Sequence, residues 1–329
     1  MTPNATNVVH THPAELLQQL LRFDTTNPPG NEKPCIDFIA DAMATYDIDS
    51  TLYAKDPYRP NLVARLPGSG DASPLLLYGH VDVVTTSNQQ WSHAPFSGDI
   101  VDGWIWGRGA LDMKGGIAMM LTAFLRAKAN NVKLPGDIIF LALADAEAGG
   151  RYGARFMVSE QPEIFNGVRY AIGEFGGFSL DQGGSRFYPI MSSEKVVASL
   201  RLTIRGPGGH GSLPMRGGTM ANVSEVLQTL DRHRLPPHLT PGTAAMLKGM
   251  ISGLDDDNSR NLQLLLTEST IDCTLDAMGH SGHIYDALLH NTGTATVIRG
   301  GDKFNVVPSE VTIDIDCLLY TSPSPRDRG

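Results

Sequence analysis

Cysteine is scarce in this sequence. Only Cys35, Cys273 and Cys317 occur in 329 residues. Far apart and odd in number, they build no disulfide framework and suit a reducing compartment. Positive charge is also in short supply, with 26 Lys and Arg against 35 Asp and Glu and a formal charge of −9. That balance argues against nucleic acid or an anionic membrane as the main partner, and it leaves carboxylates available for local work such as holding cations. No window approaches the roughly 18 consecutive apolar residues of a membrane span. Met1 to Asn7 shows no basic stretch followed by an apolar run, so no secretory signal is expected. These absences predict a cytoplasmic protein that touches neither nucleic acid nor membrane.

What is present is ordinary globular material, 41% hydrophobic and 19% charged, in a chain longer than a usual single domain. Apolar residues recur at helical spacing from Pro13 to Phe23 and from Cys35 to Tyr46, the first run stopped by Asn27-Pro28-Pro29-Gly30. Leu75 to Tyr78 and Asp137 to Ala144 read as buried strands, and Gly115 to Asn130, Ala-rich and without a breaker, as a long buried helix between them. Strand, helix, strand at this spacing is a βαβ unit and predicts an α/β fold with a mostly parallel sheet flanked by helices. In such sheets ligands bind just past the strand ends, where His80 and Asp145 to Glu147 fall.

Near Ser193 the pattern changes. Val196 to Arg205 alternates apolar and polar, Thr219 to Arg232 is helical, and Thr294 to Arg299 and Val306 to Ile315 alternate again. The expected organisation is a domain over 1–193 and an antiparallel α+β domain over 194–316, with helical inserted material from about Pro241 to Leu289. After Asp316 the chain turns abruptly turn-like. The run Cys317 to Asp327 matches one reading frame of a transposase adapter used in DNA sequencing libraries. The expectation is that residues 317–329 are a non-native, adapter-derived tail, the alternative being a disordered natural terminus.

Three segments carry candidate chemistry, each with a plainer reading beside it. In Gly79-His80-Val81-Asp82 a carboxylate stands where it can hold the second nitrogen of a ligand histidine, or the two form a satisfied polar pair. In Gly107 to Gly116, Asp112 sits among glycines at a helix start, as a ligand or as a capping residue. Asp145-Ala146-Glu147 ends an apolar strand, as a ligand turn or as an acidic turn.

Taken together, the three resemble the zinc metallopeptidases that include aminoacylases, succinyl-diaminopimelate desuccinylase, acetylornithine deacetylase and glutamate carboxypeptidase, over residues 12 to 316. The resemblance implies a zinc-exopeptidase-like catalytic domain with an inserted ferredoxin-like lid and dimerisation domain, and a homodimer. It implies two Zn2+ ions, with Co2+ or Mn2+ as alternatives. His80 then looks like a metal ligand, Asp82 like the carboxylate that orients it, and Asp112 like the ligand shared by both metals. Glu147 looks like the ligand of the second metal, and Glu174 like the acidic partner of His80. His210 matches the family histidine that reaches across a dimer to stabilise the oxyanion. Asn305 is a candidate substrate contact and equally an ordinary loop residue. His280, His283 and His290 read as helix surface rather than a metal site, because no acid partner clusters with them in sequence.

Two departures from the family pattern predict an inactive chain. Where the family has Asp-Glu-Glu, the first glutamate being the general base, this chain has Ala146, and a methyl group transfers no proton. The family's last metal ligand, a histidine from the returning catalytic domain, has no counterpart here, as in a C-terminally truncated member. The implied parent activity is metal-dependent hydrolysis of amide bonds in dipeptides or N-acyl amino acids. The alternatives are a metal- or amino-acid-binding pseudoenzyme, favoured by Ala146, and an open-sheet binding protein without metal.

Overall fold

The computed structural model describes residues 9–174, 178–213 and 216–320. The chain divides into two compact units, Met1–Gly176 and Gly177–Gly329. Among the described residues no helix is long and apolar enough to cross a membrane.

The first unit runs α1 (Pro13–Leu21), α2 (Lys33–Ala44), β1 (Ser50–Tyr53), β2 (Asn61–Leu66), β3 (Leu75–His80), β4 (Asp99–Val101), β5 (Trp104–Trp106), α3 (Lys114–Ala129), β6 (Ile138–Leu143), α4 (Ala154–Glu160) and β7 (Tyr170–Ile172). Its main sheet has the order β1-β2-β6-β3-β7. The expected parallel core is there, since β3 pairs parallel with both β6 and β7. The sheet as a whole is mixed rather than mostly parallel, because β1 and β2 add antiparallel pairings on the β6 side.

β6 reads Ile138-Ile139-Phe140-Leu141-Ala142-Leu143 because both of its faces are covered. Phe140 and Ala142 join α1, α2 and α3 in one apolar cluster, while Ile139, Leu141 and Leu143 join Phe156 and Met157 of α4 on the opposite face. Helix α3 starts tightly against β3. A β-carbon at Gly79 would lie 2.5 Å from Met113 Cε and 2.9 Å from Ile117 Cδ1, so any larger residue there would have to displace those side-chain ends. The Lys114 ammonium, fully buried, donates to the carbonyls of Leu20 and Phe23 at 3.0 and 2.8 Å and ties the start of α3 to the end of α1.

The second unit contains β8 (Leu180–Gln182), β9 (Ser185–Phe187), β10 (Val196–Val197), β11 (Leu200–Arg205), β12 (Gly209–His210), α5 (Thr219–Arg232), α6 (Pro241–Ser252), α7 (Asp256–Leu264), α8 (Ile271–Met278), α9 (His283–Leu289), β13 (Thr292–Arg299), β14 (Val306–Val307) and β15 (Glu310–Leu319). Long β15 pairs antiparallel with β10 and β11 along one edge and with β13 along the other. Val311, Ile313, Ile315 and Cys317 alternate inward from β15 to pack with Val223, Val226, Leu227 and Leu230 of α5. This is the α+β arrangement expected, with the predicted 196–205 strand interrupted at 198–199.

The compact units part at Gly176/Gly177, upstream of the pattern change at 193, because the β8–β9 hairpin packs on the helical cluster of the second unit. Leu180 and Phe187 join its apolar core, and Ser185 Oγ donates to Gly253 O at 2.7 Å. The segment expected to be turn-like from residue 317 begins as strand, since Leu318 and Leu319 pair with Val197 and Val196. Residues 321–329 lie outside those described.

Candidate metal centre

Parallel pairing brings the candidate motifs together. His80 ends β3 opposite Leu143, the last residue of β6, and the Val81 amide donates to Leu143 O at 2.9 Å. Asp82 and Asp145, each two residues past its strand, therefore emerge side by side. β7 pairs with β3 on the other edge and ends at Ile172, which delivers Glu174 to the same end of the sheet. On the near side the extended segment at Thr25 to Asn27 runs beside Val81 to Val83, with Asn27 N donating to Val83 O at 2.8 Å.

His80 is buried, with Nδ1 2.9 Å from the carbonyl oxygen of Asp82. That carbonyl can only accept, so Nδ1 keeps its proton and Nε2 is the nitrogen that a cation would engage once its own proton is displaced. Nε2 lies 3.1 Å from Asp112 Oδ1 and 4.0 Å from Glu174 Oε1. Candidate ligand atoms of His80, Asp112 and Glu174 all fall within 4.8 Å of one another. Asp112 and Glu174 are half-exposed, so the group is open on one side.

Asp82 stands behind the group, with no exposed surface. Its Oδ1 accepts from the amide of Ala146 at 3.0 Å, and its Oδ2 from the amide of Glu147 at 3.0 Å and from Asn27 Nδ2 at 2.8 Å. Burial works against its ionisation, but the His80 and Asn27 contacts and the Glu147 amide outweigh it and hold the carboxyl below its usual range. Burial likewise works against charge on His80, yet Asp82 and Glu174 raise the imidazole to about 10. Asp112 is raised by burial and by Glu174, Glu147 by burial and by Asp112, and Glu174 is lowered by the His80 contact. One imidazole among crowded carboxylates is the electrostatic state that a divalent cation relieves. The donor set, nitrogen plus oxygens, suits zinc, cobalt or manganese.

The model of Peptidase family M20/M25/M40 matches residues 76–223, and that of the Peptidase dimerisation domain matches residues 192–326. The chain belongs to peptidase family M20/M25/M40. A probable carboxypeptidase S-like 2 of Dictyostelium discoideum is 29% identical over 273 residues, 77% of this chain and 49% of that protein. Aminoacylase-1 of Sus scrofa is 32% identical over 225 residues, 67% of this chain and 53% of that protein. The chain thus spans about half the length of these relatives. An M20 family metallo-carboxypeptidase from Sulfolobus solfataricus superposes with a TM-score of 0.63 at 17% identity, covering 95% of this chain and 72% of that one, and so shares the fold.

In this M20 chain, then, His80, Asp112 and Glu174 come together with Asp82 behind them. Glu147 is half-buried beside the group without joining the three-ligand set. Ala146 is exposed, and its amide, not its side chain, makes the contact to Asp82. His210 belongs to the second unit, on exposed β12, with Nδ1 2.7 Å from Ser212 Oγ. Asn305 is exposed, and its carbonyl accepts from the Gly211 amide at 2.8 Å. The histidine group needs a partial correction. His280 and His283 are surface residues, but buried His290 does have acid partners, with Nε2 2.9 Å from Asp272 and Nδ1 2.9 Å from Asp286. Its nitrogens serve opposite carboxylates, as a bridge between α8 and α9 rather than a metal site. Sequence reading missed Glu32 and Arg59, a buried pair at 2.6 Å whose guanidinium also meets Asp145 at 3.1 Å. A lone Arg between Tyr58 and Pro60 gave no signal, because its partners are remote in sequence.

Proposed function

We propose that this chain carries the metal-binding part of a hydrolase acting on amide bonds of small substrates, dipeptides or N-acyl amino acids, and that two zinc ions serve it. The convergence of His80, Asp112 and Glu174 in front of buried Asp82 is the observation that carries this reading. His80 and Glu174 would hold one cation, Asp112 would be shared, and Glu147 would hold the other. Bound cations would supply Lewis-acid polarisation of the substrate carbonyl and an acidified water. Asp82 keeps Nδ1 of His80 occupied so that Nε2 stays a ligand. Position 146, next to Glu147, is where the family's proton-transferring glutamate stands. Its replacement by alanine removes a contribution of roughly 10²–10⁴-fold, so the chain is inactive or nearly so. His210 would donate to the oxyanion across a homodimer, a pairing supported by the dimerisation-domain match.

The deciding experiment loads the chain and its Ala146→Glu variant with zinc and assays both on N-acetyl amino acids and dipeptides. Turnover that appears only with glutamate supports the hydrolase reading. A chain that takes up no zinc in either form overturns it. Ala146 itself favours a second reading, a pseudoenzyme that binds metal or amino acid without turnover. Tight ligand binding by both forms with no hydrolysis by either would favour that reading.

A further inference from the structure

We propose that Glu32 and Arg59 are positioning residues that set the 145–147 turn of the centre, a role that rests on the hydrolase reading for its purpose. Asp145 is held from every side. Its backbone has φ 62° and ψ 22°, a left-handed conformation that residues with a β-carbon adopt when their surroundings impose it. Its amide donates to Glu32 Oε1 at 3.2 Å. Its Oδ1 meets Arg59 at 3.1 Å and Asn27 Nδ2 at 3.1 Å, and its Oδ2 accepts from the Tyr152 amide at 3.0 Å. Arg59 is itself clamped. Its Nε and terminal nitrogen donate to both oxygens of Glu32, and its guanidinium carbon lies 4.9 Å from the Tyr152 ring centre.

The segment carrying Arg59 also grips the preceding residue, since Asn61 Oδ1 accepts from the Ala144 amide at 3.0 Å. Space for the guanidinium is reserved by Gly30. Its φ is +83°, and a β-carbon there would lie 2.3 Å from Arg59 Cζ. The result is directional. With Asp145 fixed, the next two amides, of Ala146 and Glu147, both close on Asp82. Those two residues are the proton-transfer position and a proposed ligand. A buried ion pair is weak as a stabiliser and strong as a device for fixing geometry. A carboxylate fork on a planar guanidinium is the pairing with the most defined geometry.

The test compares the chain with Arg59→Lys, Arg59→Met and the double variant Glu32→Leu/Arg59→Met. The double variant leaves neither charge of the pair buried alone. Amide hydrogen exchange is followed with and without zinc, alongside thermal unfolding and zinc titration. Ala146 and Glu147 amides exchanging at least tenfold faster in the folded variants, with β3 and β6 amides unchanged, is the expected result. Zinc affinity at the weaker site should fall roughly 10–100-fold, as for loss of groups that orient metal ligands. Unchanged exchange at these two amides, acceleration across β3 and β6 alike, or failure of all three variants to fold overturns the proposal. Absence of zinc binding by the parent chain would instead remove the hydrolase reading, while the exchange data still decide the positioning role.

Discussion

Oδ2 of Asp82 lies 3.0 Å from the backbone nitrogen of Glu147, so a residue past the end of β3 fixes the direction of the turn past the end of β6. In Asp82→Asn one acceptor becomes an amide donor facing amides that also donate. Zinc affinity should fall roughly 10–100-fold, and stability by about 1–3 kcal/mol for the unpaired buried groups. Chelator competition and urea unfolding measure the two effects. Parent-like zinc affinity would remove Asp82 from the centre.

Exposure of Ala146 predicts that Ala146→Glu is close to neutral for stability, within about 0.5 kcal/mol. Ala146→Pro should behave differently. It deletes the amide that Asp82 accepts and disfavours the conformation of Asp145 before it. A loss of about 2–4 kcal/mol in denaturant unfolding is expected. Equal stability of the two variants would contradict the amide contact.

At Gly79 the added methyl of alanine meets Met113 and Ile117. Overpacking of this kind costs about 1–3 kcal/mol. Because α3 follows Asp112, Gly79→Ala should also weaken zinc binding. A variant that loses stability but keeps zinc affinity would show that the start of α3 moves without carrying Asp112.

Metal removal should act on one unit. All the proposed ligands lie within residues 80–174, so zinc at 100 times its Kd should stabilise the first unit by about 2.7 kcal/mol. For a unit of this size that is a rise of roughly 5–11 °C in Tm, reversed by a chelator. Differential scanning calorimetry should show the transition of the second unit unmoved.

Thiol chemistry gives a pH prediction. Burial pushes Cys35 up to about 11, the attraction of Lys114 only partly opposing it. A folded pKa above the unfolded value of 9.0 means that this group's contribution to stability is fully present below pH 9 and is lost as pH rises through 11. In native protein at pH 8, a thiol reagent should therefore modify exposed Cys273 quickly and leave Cys35 and Cys317, both buried, until denaturant is added. Fast reaction at all three would contradict the packing of α2 around Cys35 and of β15 around Cys317.

Legibility followed the range of the interactions. Helix α5 and strands β3 and β6 were readable because period and burial are local properties, and the parallel pairing then implied that His80 and Asp145 share a sheet end. Strands β1 and β2 carry no such local signal. Ser50–Tyr53 is half-exposed, and Arg65 interrupts the apolar run of β2 to pair with Asp137 at 2.7 Å. Asp82 could be read as the support of His80, but not as the acceptor of two amides more than sixty residues away. Asp286 stands one helical turn before His290, but Asp272 stands eighteen residues before it, and only the packing of α8 against α9 makes that pair neighbours.

The two units also differ in the order in which a ribosome can complete them. The core shared by α6 to α9 closes mainly among residues 239–289, so it can collapse on short loops. The proposed centre would draw on Asn27, His80, Asp112, Glu147 and Glu174, spread through nearly the whole first unit. Until Glu174 has left the exit tunnel, a cation has no three-ligand group to enter, and the nascent chain must keep its sheet edges shielded without help from metal.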